Sequence, residues 1–235
     1  MKRLILFLLI SVAGFAQYVP VPFTAVSGTA PTYVNGISCA YNGASGNATC
    51  TVGSVTAGEA IMVGWTSASS CTITDNCNTG GTSDSYTSLD SSSGSGDYWG
   101  QGYLPVGATT ASCTVTITPS GLSYTTGSAQ AIGSMTGIDS HIINRQVGPG
   151  SGTNAATSTS VTTSHTSYIF GWTASRSFTA DTITLGTGFT AAGGQGSGGP
   201  EMGEYFRQLS PGSTAATFTL ATGSGTWFTG LIAVY

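Results

Sequence analysis

Cys113-Thr114-Val115-Thr116-Ile117-Thr118 sets an apolar side chain against a threonine at every step. Successive side chains of an extended strand point to opposite faces, so Cys113, Val115 and Ile117 share one face and the three threonines the other. The segment predicts a half-buried strand whose outer face is solvated by hydroxyls. Thr217-Phe218-Thr219-Leu220 repeats the period of two. Elsewhere, runs of β-branched and aromatic residues are cut by Gly, Asn, Asp or Pro roughly every 8 to 12 residues, and helix signals are almost absent. The expected fold is all-β, an antiparallel β-sandwich.

Composition extends this reading to the whole chain. Its 235 residues include only 6% charged side chains, against 35 glycines and about 70 serines and threonines, where globular domains average about 25% charged. Hydroxyl-bearing outer faces account for the difference. The only lysine, Lys2, and one arginine, Arg3, sit at the amino terminus, which leaves Arg145, Arg176 and Arg207 for the rest of the chain. Clustered Lys and Arg neutralise phosphates in nucleic-acid complexes, so that class of partner is excluded. With 40% hydrophobic and 10% aromatic residues, the chain has the means to form a core.

Residues 1–16 combine Met1-Lys2-Arg3, an apolar run from Leu4 to Ile10 and the small residues around Gly14-Phe15-Ala16. These are the three parts of an export signal, with cleavage expected after Ala16. The run is too short to span a bilayer, and no second one follows, so the expected product is secreted, extracellular or held at a cell surface. In an oxidising compartment cysteines pair. Cys39 and Cys50 flank a polar Gly-Asn loop between two strand-like runs and are expected to bond. For the others two arrangements stay open: Cys71 with Cys77, leaving Cys113 unpaired, or Cys71 with Cys113, leaving Cys77 free. A cysteine-ligated metal is disfavoured, since neither histidine lies near a Cys-x-x-Cys pair.

Comparing the chain with itself exposes a pseudo-repeat. Ala60-Ile61-Met62-Val63-Gly64-Trp65-Thr66-Ser67 matches Ser167-Tyr168-Ile169-Phe170-Gly171-Trp172-Thr173-Ala174, and the stretch from Asp97 to Pro105 parallels that from Gly203 to Pro211. The expected organisation is an extension with a first hairpin at 17–47, then one sandwich domain at 48–235. Its halves are about 48–146 and 155–235, with a Gly-Pro-rich junction between them. The order of motifs (Gly58 to Trp65, Asp75-Asn76, Ser85-Tyr86-Thr87, the strand around Tyr98, Thr114 to Thr118, Met135 to Asp139, then Gly186-Thr187-Gly188-Phe189-Thr190) resembles secreted bacterial and phage β-sandwich proteins, mostly of unknown function. That resemblance covers about 48–235 and implies a jelly-roll-like sandwich with an extracellular role and no catalytic residues. The insert carrying Cys77 departs from the family pattern.

Little in the chain points to a reaction. His141 and His165 have no Gly-x-Ser-x-Gly elbow to serve, and are read as loop or strand-edge residues. Glu201 and Glu204, the closest acidic pair, face opposite sides of an extended strand, which argues against a glycosidase pair. Gly186 to Ala191 matches a dinucleotide fingerprint, but the glycines after it forbid the helix that such a site needs. Asp75, Asn76, Asn78 and Asp84 supply hard oxygen ligands of the kind calcium takes, although Asp and Asn also serve simply as turn residues. Trp99, Gln101 and Tyr103 share one strand face and suit a flat neutral glycan; the same residues would equally fill a core. The leading expectation is a non-enzymatic extracellular surface, matrix or appendage component that associates with itself or with a surface partner. The alternative is a carbohydrate-binding module, with or without calcium; a glycoside hydrolase ranks last.

Overall fold

The computed structural model describes residues 30–41, 46–78, 83–121, 124–133, 135–147, 154–157, 160–175, 183–192, 202–215, 217–220 and 226–235. The expected export signal at 1–16, Glu201, the side chain of Glu204 and the junction 148–153 lie outside the described residues. Among those described, the protein is all-β, and no helix is long and apolar enough to cross a membrane.

The first group of strands is β1 (Tyr33–Ser38), β2 (Ala40–Tyr41), β3 (Ala48–Val55), β4 (Ala60–Ser67), β5 (Cys71–Asp75), β6 (Thr87–Gly94), β7 (Asp97–Pro105), β8 (Thr110–Pro119) and β9 (Thr125–Ile132). They build a five-stranded sheet in the order β1-β9-β4-β7-β6 and a four-stranded sheet in the order β2-β3-β8-β5. The second group is β10 (Ile138–Val147), β11 (Asn154–Thr157), β12 (Val161–Thr163), β13 (Ser167–Ser175), β14 (Ile183–Leu185), β15 (Thr190–Ala191), β16 (Met202–Leu209), β17 (Gly212–Thr214), β18 (Thr217–Leu220) and β19 (Thr226–Val234). A second five-stranded sheet runs β10-β19-β13-β16-β15, alongside the smaller sheets β11-β18-β14 and β12-β17. The pairings are antiparallel throughout.

The expected first half, about 48–146, takes in the residues of β10, but that strand pairs along its length with β19. The change from one set of sheets to the other therefore falls between β9 and β10, ahead of the Gly-Pro-rich junction. Strand β1 does not stand apart as an extension either; it pairs with β9 at the edge of the first five-stranded sheet.

Three cores stack through the molecule. In β8, Cys113, Val115 and Ile117 are fully buried while Thr114, Thr116 and Thr118 are half-buried, the alternation the opening stretch predicts. Their partners across the first core include Ile61, Val63 and Trp65 of β4. The other face of β4 carries Ala60 and Met62 into a second core, against Tyr168, Phe170 and Trp172 of β13 and Phe228 and Ile232 of β19. The odd positions of β19, Trp227, Leu231 and Ala233, face a third core with Ile169 of β13 and Val161 of β12. The two five-stranded sheets are thus packed on both faces, which explains why β4, β9 and β13 are buried at every residue. Each large side chain so enclosed contributes about 1.5–3 kcal/mol.

Glycines set the spacing of the central layer. Trp172 pairs across the sheet with Gly230 and crosses to Gly64 of the facing sheet. A methyl group on Gly64 would stand 2.6 Å from Trp172 Nε1. The glycine of the first Gly-Trp-Thr run therefore makes room for the tryptophan of the second.

Two cysteine pairs are at disulfide distance. Cys39 bonds Cys50, as expected from the loop between them. The second bridge joins Cys77 to Cys113, and Cys71 is free, so both arrangements offered by the sequence are corrected. The reason is strand register: Cys71 pairs opposite Pro119 at one end of β8, whereas the chain beyond β5 returns Cys77 to Cys113 near the other end.

Candidate functional site

The strand face of Trp99, Gln101 and Tyr103, which suits either a glycan or a core, lies inside the molecule. Trp99 is 7% exposed and Gln101 fully buried, while Tyr103 packs partly buried against the second core. Of the two alternatives, the core reading holds and the glycan platform is corrected. The face points at the facing five-stranded sheet, where Trp99 meets Phe228 with ring centroids 5.2 Å apart.

Gln101 is the centre of a polar clasp between the sheets. Its Oε1 accepts the indole N–H of Trp172 at 3.0 Å, and its Nε2 donates toward Leu231 O at 2.9 Å, Ile142 O at 3.0 Å and Asp90 Oδ2 at 2.8 Å. The same Asp90 oxygen meets His141 Nδ1 at 2.8 Å, at the solvent edge of β6 and β10. The Tyr168 hydroxyl donates to Gln130 Oε1 at 2.8 Å in the same interface. Asp97, fully buried, accepts the Tyr124 hydroxyl and faces Arg145 Nη2 at 3.5 Å. Buried polar groups are costly unless bonded, so these pairs select one mutual placement of the two large sheets. Neither a base rate for glutamine nor the period of β7 exposes them, because the partners lie as far as 130 residues away.

The two histidines take different settings. His141 sits on edge strand β10, half exposed against Asp90. His165, in the turn before β13, stacks on Tyr235 at 3.7 Å and bonds Asp139 Oδ1 through Nδ1 at 3.0 Å. Ser164 Oγ approaches that same nitrogen at 3.1 Å. A Ser-His-Asp relay needs serine and carboxylate on opposite ring nitrogens, so this group is built as a turn lock. Burial would raise the Asp139 carboxyl, but the hydroxyl of Ser164, the backbone and ring N–H groups of His165 and the hydroxyl of Ser167 together hold it down at about 2.

The acidic loop is assembled by its own backbone. Asp75 Oδ1 accepts the Cys77 N–H at 2.7 Å and Oδ2 the Asp84 N–H at 2.8 Å. Asn76 Oδ1 accepts from Thr114 N at 2.7 Å, and Asn78 Nδ2 donates to Asp84 Oδ1 at 2.6 Å. Burial raises the Asp75 carboxyl, aided by the Asp84 charge and opposed by the two backbone donors. Of the four residues expected to ligate calcium, Asp75, Asn78 and Asp84 are thus linked to one another by hydrogen bonds, while Asn76 turns to Thr114 of β8. Among the described residues no three His, Cys, Asp or Glu side chains converge on a common point suited to a metal ion. Glu201 and the side chain of Glu204 are outside the described residues.

Comparison with known protein families, curated proteins and solved structures brings no match to this chain.

Proposed function

We propose that the protein is a non-enzymatic structural or interaction component of an extracellular surface, matrix or appendage. The observation that carries this reading is the placement of the reactive side chains. Asp90, Asp97, Asp139, His141 and His165 hold strands and turns to one another, and Asp75 ties its own loop. Acid–base chemistry needs such groups convergent on substrate. Two disulfides and an export-type amino terminus fit an oxidising destination.

Association follows from the edges. β6 has β7 on one side and, among the described residues, no strand on the other. Its sequence is Thr-Ser-Leu-Asp-Ser-Ser-Ser-Gly, and the single charge, Asp90, is held by Gln101 and His141. Edge strands are normally protected by charge, Pro or bulges against pairing with another chain; the bulge near Ser88 and Asp90 is the one such device here. The test is sedimentation of the chain from residue 17 over a range of concentrations. Concentration-dependent oligomers that a Ser92→Lys change disperses are expected; a monomer at every concentration sinks the assembly reading.

A further inference from the structure

A cavity of about 480 Å³ opens at the side of the first core, between the edge strands β5 and β6. It exists because β7 turns Tyr98, Gly100 and Gly102 toward that side. The Trp65 ring settles over Gly100, where a methyl group would lie 2.9 Å from Trp65 Cε2, and the Tyr86 ring over Gly102, where it would lie 2.8 Å from Tyr86 Cζ. Two glycines thereby recess two aromatic rings below the strand's normal side-chain height. Tyr98 borders the space left above them, and Ser88, Ser91 and Ser93 of β6 form its wall.

The lining has a definite chemistry. Three aromatic rings provide flat apolar surface, and serine hydroxyls provide both donors and acceptors, yet no charged side chain takes part. Asp90, between these serines, points the other way, into the clasp with Gln101. Trp65 Nε1 and the Tyr86 hydroxyl are buried there against one another, the indole N–H toward the phenol oxygen. An anion would find no cation, and a cation no carboxylate. A wholly apolar molecule would strip water from the serines without replacing its hydrogen bonds. A pyranose offers what remains: an apolar face for a ring and hydroxyls around its rim. The volume lies within the ordinary range of ligand pockets, about 300–1,000 Å³.

We propose that this cavity is a binding site for one ring of a neutral carbohydrate, with Tyr98 and Trp65 against the sugar face and the serines of β6 on its hydroxyls. The site is distinct from the Trp99-Gln101-Tyr103 face and does not depend on assembly: a monomer that binds sugar keeps this inference and removes the previous one.

Cys71 supplies the readout, since it lines the same cavity. Burial, opposed by the hydroxyls of Ser67 and Thr125, pushes its thiol up to about 11, so alkylation by iodoacetamide should be slow at neutral pH and accelerate as pH rises. The chain is titrated with neutral mono- and oligosaccharides of glucose, galactose, mannose and N-acetylglucosamine, and with glucuronate. Tryptophan fluorescence and the rate of Cys71 alkylation are followed together. At least one neutral sugar should saturate the fluorescence change and slow Cys71 labelling in proportion to occupancy, with glucuronate weaker. Tyr98→Ala should weaken binding about tenfold. Ser91→Trp, which fills the cavity from an exposed strand, should abolish it while the melting temperature stays within a few degrees. No saturable binding by any neutral sugar, or binding unchanged in both variants, or Cys71 labelling unaffected at saturation, would overturn the proposal.

Discussion

At the residue scale, Asp139 is the most heavily used carboxylate among the described residues. Two serine hydroxyls, two backbone N–H groups and an imidazole converge on its two oxygens. The carboxyl is held below its ordinary value, which for Asp is about 3.9 in an unfolded chain. Its stabilisation is therefore complete above about pH 4 and is lost as pH falls toward about 2. Asp75, raised by burial, acts in the opposite sense. Thermal melts of Asp139→Asn should show a lowered melting temperature at pH 7 and a difference from the parent that shrinks toward pH 2. A difference constant with pH would mean that the carboxylate charge does nothing for stability.

At the scale of strands, β4 and β13 depend on the absence of side chains opposite their tryptophans. Trp65 is accommodated at Gly100 and Trp172 at Gly230 and Gly64. The Gly-Trp-Thr repetition was legible in the sequence, but its purpose was not, because Gly64 serves a tryptophan more than a hundred positions away. Gly64→Ala should cost about 2 kcal/mol through overpacking, a fall of roughly 4–8 °C in melting temperature for a chain of this size. An unchanged melt would show that the Trp172 ring has room to withdraw.

For the molecule as a whole, the question is whether the two groups of sheets behave as one body. The second core and the Gln101 clasp join the two five-stranded sheets, so a single cooperative unfolding transition is expected by calorimetry. Gln101→Leu removes the acceptor of the buried Trp172 N–H and the donor to two carbonyls, at a cost of about 2–3 kcal/mol. Adding Trp172→Phe should recover part of that loss, because no unsatisfied indole N–H then remains. Additive losses in the double variant would mean that the Gln101–Trp172 bond carries no coupling.

Period-two patterning and turn residues determined by themselves that this chain is all-β. The threonine faces explained how it stays solvated with so few charges, and the Cys39–Cys50 loop was legible because both ends are close in sequence. The tertiary structure alone decided which faces are interior. Trp99, Gln101 and Tyr103 share a face that suits a glycan or a core equally, and only the arrival of β13 and β19 against it makes it interior. It also decided that Cys77 joins Cys113, through the register of β5 on β8, and that Trp65, Tyr86 and Tyr98 gather around one cavity. Alternation along a strand depends on local backbone geometry, so it can be read from neighbouring residues. What covers each face depends on contacts between distant segments, and those are set by how whole sheets pack.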